Sequence, residues 1–77
     1  MRPATGSSFT AIIEREDNLY VALCLELDIA SQGSSVESAL DNLKEAVELF
    51  LETADPKEVR ERRREQVFVT QFQAMHG

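Results

Sequence analysis

One cysteine, one histidine and no tryptophan occur in the 77 residues. A lone Cys24 excludes an internal disulfide, and with His76 as the only histidine it excludes a Cys/His zinc cage, which takes four ligands. Long apolar runs are also missing. The longest stretch without a polar side chain, Val21 to Leu25, falls far short of the roughly 20 residues that cross a bilayer. The first six residues, Met1-Arg2-Pro3-Ala4-Thr5-Gly6, carry one charge and no apolar stretch, so no signal peptide is expected. An unpaired thiol without an export signal points to the cytoplasm, with no membrane partner. No Gly-rich phosphate loop and no serine-centred nucleophile motif are present, so no enzyme activity and no cofactor are expected. Bases are scarce as well. Eight Lys and Arg stand against 14 Asp and Glu, a net charge of −6, which argues against general affinity for nucleic-acid phosphates.

What remains is an ordinary folded composition, 43% apolar and 29% charged, on a chain long enough for one small domain. A domain of this size buries only about 60% of its unfolded surface. Without disulfide or metal, self-association into a dimer or tetramer is the expected reinforcement. The charge is segregated. Residues 1–56 hold 11 acids and three bases, whereas residues 57–77 hold three acids and five bases.

The organisation reads as a flexible tip over residues 1–8 and one α+β domain over 9–77. Phe9 to Arg15 (FTAIIER) and Leu19 to Leu25 (LYVALCL) are rich in β-branched and aromatic residues and are joined by Glu16-Asp17-Asn18. They predict an antiparallel hairpin. Its second strand is apolar on both faces: Leu19, Val21, Leu23 and Leu25 on one, Tyr20, Ala22 and Cys24 on the other. A half-buried strand alternates with polar residues, so both faces need cover. A third strand is expected over Leu27 to Gln32, broken by Gly33. Ser34 with Glu37 three residues on predicts a capping box, and Val36, Ala39, Leu40, Leu43, Ala46, Val47, Phe50 and Leu51 form one helical stripe ending near Thr53. Asp55-Pro56-Lys57-Glu58 predicts a second, shorter helix. Gln66 to Phe72 (QVFVTQF) alternates and predicts a final strand. The order is β-β-β-α-α-β, an antiparallel sheet with one long helix across it. One helix covers one face, which leaves Tyr20, Ala22, Cys24, Phe68 and Phe72 as the candidate interface between copies.

Three constellations bear on function. Glu37, Asp41, Glu45, Glu48 and Glu52 line one face of the long helix, with only Lys44 opposed. They are either a solvated face or an acidic surface that captures a basic partner. Arg60, Arg62, Arg63 and Arg64 are either a salt-bridged helix end, where cations suit the dipole, or a patch for nucleic-acid phosphates. Glu26 and Asp28 stand two apart at a strand end, as a solvated pair, an acid–base pair or two Mg²⁺ ligands. Cys24 lies in an apolar strand, where a thiol behaves as a small hydrophobe.

Tyr20-Val21-Ala22-Leu23-Cys24-Leu25-Glu26-Leu27, then Ser31-Gln32-Gly33, then Ser35-Val36-Glu37-Ser38-Ala39-Leu40 and the run through Leu51 resemble the HicB-like antitoxins of toxin–antitoxin pairs. The resemblance covers Phe9 to Glu52. It implies a partial ribonuclease-H-like fold without the nuclease site, dimers or tetramers, and a partner: a HicA-like toxin, a basic protein that cleaves mRNA. Two departures stand out. Leu25 and Ala30 occupy places where many members have proline. Many members also carry a C-terminal DNA-binding module, and with Gly77 as the last residue direct DNA binding is not expected. The contact surface expected for the toxin is Glu37, Asp41, Glu45 and Glu48 with Glu26 and Asp28. The alternative function is a stand-alone oligomeric nucleic-acid-binding module acting through Arg60 to Arg64.

Overall fold

The computed structural model describes residues 7–64 and 66–77. The tip expected over 1–8 therefore lies mostly outside the described residues. Three antiparallel strands come first, β1 (Ala11–Glu16), β2 (Leu19–Cys24) and β3 (Ile29–Gly33), in the sheet order β1-β2-β3. Two helices follow, α1 (Val36–Thr53) and α2 (Pro56–Arg62).

Asp17 and Asn18 turn β1 into β2, and Asp17 takes a left-handed φ of 54°. A short polar side chain that bonds to nearby backbone tolerates that region. Asp28, with φ 56°, does the same in the turn before β3 and donates its N–H to the Cys24 carbonyl at 2.8 Å. That left-handed residue is why β3 starts at Ile29 and not at Leu27.

Gly33 belongs to β3, paired with Tyr20, and does not break it. A Cβ at Gly33 would collide with Ser38 Oγ and approach the Ala39 nitrogen to 2.5 Å. The missing side chain is what lets the first turn of α1 lie against the sheet.

The helix cap differs from the Ser34–Glu37 box by one residue. Ser35 is the N-cap: its Oγ accepts from the Ser38 N–H at 3.0 Å, and Ser38 Oγ accepts from the Ser35 N–H at 3.0 Å. Two serines complete the reciprocal pair with short side chains, so Glu37 is left free to point outward. Asp55 caps α2 as expected, accepting from the Lys57 N–H at 2.8 Å, with Pro56 at the first helical position.

Register divides the sheet into two faces. Ala11, Ile13 and Arg15 align with Cys24, Ala22 and Tyr20, which in turn align with Ile29, Ser31 and Gly33. This face lies under α1. The core consists of Ala22, Cys24 and Leu27 from the sheet side and Ala39, Leu43 and Val47 from the helix. Phe9, Ile13, Tyr20, Ile29 and Phe50 flank it. Ala22 and Cys24 are thus covered within the chain and have no surface to give a second copy, which corrects their expected place in an interface. Tyr20 is half-buried beside them.

No strand forms over Gln66 to Phe72. Alternation supplies two apolar faces but not the neighbouring strand whose N–H and C=O groups define a ladder. Its large apolar side chains are exposed instead, Phe68, Phe72 and Met75 to 83%, 87% and 97%. The observed order among the described residues is β-β-β-α-α.

Candidate functional site

The five acids of α1 fall on one stripe. At 100° per residue, Glu37, Asp41, Glu45, Glu48 and Glu52 lie within about 80° of arc, opposite the buried Ala39, Leu43 and Val47. All five are exposed. Three like-charged pairs at four-residue spacing, Glu37–Asp41, Asp41–Glu45 and Glu48–Glu52, each cost the helix a few tenths of a kcal/mol. The helix tolerates this repulsion because Leu43 and Val47 anchor its other side.

The uncovered sheet face carries a second acidic feature. Ile12, Leu23 and Ala30 form one cross-strand row, Glu14, Val21 and Gln32 the next, and Glu16 and Leu19 the last. Ile12 and Leu19 are exposed, and Val21 and Leu23 are half-buried. An apolar centre edged by Glu14 and Glu16 has the layout of a protein-binding surface, where an apolar core is ringed by charge. Sequence reasoning passed over Glu14 and Glu16. Their spacing of two from Ile12 is the signal that places them on its face.

Glu26 is not part of any acidic surface. It is 8% exposed, and its carboxylate accepts the Thr10 N–H and the Thr10 hydroxyl, both at 2.7 Å. Burial pushes its pKa up, but these hydrogen bonds outweigh burial and hold the carboxyl below its ordinary value of 4.5. Its expected contact with a toxin is therefore corrected, and so is a Glu26–Asp28 metal pair. Asp28 stands exposed on the β2–β3 turn, while the Glu26 oxygens are already committed to Thr10. Among the described residues no group of three or more His, Cys, Asp and Glu is placed to hold a metal ion.

Cys24 donates weakly to Glu26 Oε1 at 3.8 Å, and burial, foremost, raises its thiol above the ordinary value. Its surroundings are those of a small core residue. His76 is exposed on the C-terminal segment and does not approach it.

The arginines divide by use. Arg62 donates from Nε to the Leu27 carbonyl at 2.7 Å and from Nη2 to the Asp28 carbonyl at 3.3 Å, and it lies 5.2 Å from the Phe50 ring centroid. Arg63 lies 4.8 Å over the Phe9 ring. Arg64 donates its N–H to the Glu26 carbonyl at 3.0 Å and its Nη1 to the Leu25 carbonyl. Two of the four guanidinium groups, those of Arg62 and Arg64, thus fasten the end of α2 to the β2–β3 turn, and that of Arg63 rests on Phe9. Arg60 projects from the exposed side of α2, where Lys57 and Glu61 form an ion pair at 3.9 Å.

The described residues define a small α+β domain, with a three-stranded antiparallel sheet covered on one face by a single long helix whose outer side is acidic. Over 42 residues the chain is 50% identical to a UPF0150 protein of Helicobacter pylori (strain J99 / ATCC 700824). The match takes in 53% of this chain and 58% of that protein, so the chain spans less than two thirds of its relative. No family model matches the sequence, and no solved structure matches it. No helix among the described residues is long and apolar enough to cross a membrane.

Proposed function

We propose that this chain is an antitoxin-type binding protein that neutralises a HicA-like, mRNA-cleaving toxin by covering its RNA-binding surface. The observation that carries the reading is the segregation of acid onto the outer stripe of α1, against the like-charge repulsion of its four-residue pairs. A protein that cuts RNA presents cations where the phosphates lie. An acidic stripe competes for the same ground, draws the partner in at long range and holds it in register. The open sheet face, with Ile12, Leu19, Val21 and Leu23 inside the Glu14 and Glu16 edge, adds the apolar contact that charge alone lacks. The partial match to a UPF0150 protein, 50% identical over 42 residues, supports only the coarser part of this reading, a small toxin–antitoxin-like protein. Action is in the cytoplasm, where mRNA is cut, and requires no catalytic group of this chain.

The test is co-expression with the protein encoded beside it. Rescue of growth and co-purification of the two chains support the reading, and a neighbour that is neither toxic nor bound overturns it. The nucleic-acid alternative has less to work with. Arg62, Arg63 and Arg64 are held by backbone carbonyls and aromatic rings of their own chain.

A further inference from the structure

α1 lies mainly over β3 and β2 and reaches β1 least. A groove of about 520 Å³ opens along the side of α1 that faces the entry of β1. That volume is in the range of binding clefts, roughly 300–1,000 Å³. Phe9, Ala11 and Cys24 line it from the sheet side, and Leu43 and Val47 close it toward the core. Leu40 and Leu51 line it too, yet remain 45% and 37% exposed. At 100° per residue these two leucines lie between the buried stripe of Ala39, Leu43 and Val47 and the acidic stripe. The apolar surface of α1 is thus wider than the sheet beneath it covers, and the excess faces this groove.

The groove borders the acidic stripe. Asp41 and Glu48 belong to both, as exposed carboxylates along its rim. Among the described residues neither forms an ion pair. Seven residues of helix separate them by about 10 Å, a span that an extended segment covers in about three residues. Lys44 stands between them along the helix and lines the same groove. Its stem adds apolar wall, while its ammonium repels a cation placed midway. Along the rim the charges therefore run acid, base, acid over an apolar floor.

We propose that the groove is the docking site for a short extended segment of a basic partner chain. One aromatic side chain of that segment seats against Phe9, Leu40 and Leu51, and a cation on each side of it meets Asp41 and Glu48. Charge alone gives fast but loose capture, whereas a buried aromatic anchor fixes register and slows release. The basic character of the partner rests on the antitoxin reading; the groove, its leucines and its rim charges do not.

Fluorescence anisotropy of a short labelled peptide, with one tryptophan between two lysines three positions apart, tests the groove without the partner. The full chain is expected to bind it at low salt, and about tenfold more weakly when serine replaces the tryptophan. Asp41→Asn with Glu48→Gln is expected to weaken binding about tenfold. Glu37→Gln with Glu52→Gln removes the same charge outside the groove and is expected to change binding less than about threefold. Leu40→Gln with Leu51→Gln is expected to weaken it about tenfold with an unchanged far-UV dichroism spectrum, both side chains being already exposed. No binding at low salt overturns the proposal, as does equal binding of the serine peptide. Equal losses from the two acid pairs also overturn it, because they mark charge without a site. A neighbouring protein neutralised as tightly by the Leu40→Gln, Leu51→Gln variant as by the wild type overturns the groove and leaves the antitoxin reading standing. Groove-dependent binding of the peptide beside a neighbour that is neither toxic nor bound removes the antitoxin reading and supports the groove as a site for another basic chain.

Discussion

Glu26 holds Thr10 by two hydrogen bonds of 2.7 Å, one from the main-chain N–H and one from the hydroxyl, across 16 residues of sequence. This clasp ties the entry of β1 to the β2–β3 turn, and Leu25 reinforces it by donating its N–H to the Thr10 carbonyl at 3.0 Å. Arg64 binds the same turn from the opposite side through the Glu26 carbonyl. The first strand, the turn and the end of α2 therefore meet at one charged, nearly buried residue.

The clasp sets an acid limit. Glu26 has its folded-state pKa lowered, so its contribution to stability is fully present above the ordinary carboxyl value of 4.5 and is lost as pH falls through the lower folded value. Glu26→Gln is expected to lose about 1–3 kcal/mol at neutral pH and to flatten the stability profile in that acid window. Urea unfolding followed from neutral pH down to pH about 3 checks both. Thr10→Val, which removes only the hydroxyl, is expected to cost less than Glu26→Gln.

Gly33→Ala is expected to be more damaging than its size suggests. The added Cβ meets backbone atoms of Ser38 and Ala39, which the helix cannot move without opening the Ser35–Ser38 cap. A loss of about 2 kcal/mol or more is expected, a fall in Tm of roughly 10 °C for a domain of this length. Thermal unfolding of the variant measures it.

The arginines separate by the same logic. Arg62→Ala removes two bonds to the β2–β3 turn and the contact with Phe50, and is expected to cost about 1 kcal/mol after allowance for its exposure. Arg60→Ala is expected to stay within about 0.5 kcal/mol of wild type. A gel shift with RNA or DNA at low salt is expected to show no complex for the wild type. A shift lost in Arg60→Ala and weakened steeply by salt would restore the phosphate-binding alternative.

Much of this architecture is legible in the residues. The period of Ala39, Leu43 and Val47 marks α1, and Asp55-Pro56 marks α2, because local chemistry decides those elements. The hairpin is legible for the same reason. What local chemistry does not decide is reach. Nothing around Glu26 says that Thr10 lies across from it, so an acid that reads as surface charge is a buried clasp. Alternation in Gln66 to Phe72 announces a strand, but pairing belongs to a neighbour the sequence does not specify. The choice of Ser35 over Ser34 turned on Ser38, a residue that fits two roles equally well on paper. The acidic stripe was readable in full, since it depends only on helical spacing.

Charge on α1 is expected to act on stability and on binding in opposite directions. Asp41→Lys turns the repulsive pairs with Glu37 and Glu45 into attractive ones and is expected to raise helix stability by a few tenths of a kcal/mol. The same change is expected to slow association with the proposed toxin partner about tenfold at low salt while changing dissociation much less. Stopped-flow binding at two salt concentrations, beside a melting curve, reads both effects.

Occlusion of an RNA-cutting partner is the central proposal. Its most direct measurement is cleavage of mRNA by the purified neighbouring protein, titrated with this chain. Cleavage is expected to stop at a fixed stoichiometry and to resume as salt is raised or when Asp41→Lys, Glu45→Lys and Glu48→Lys are combined. Cleavage that continues undiminished in a large excess of the wild-type chain would contradict the account.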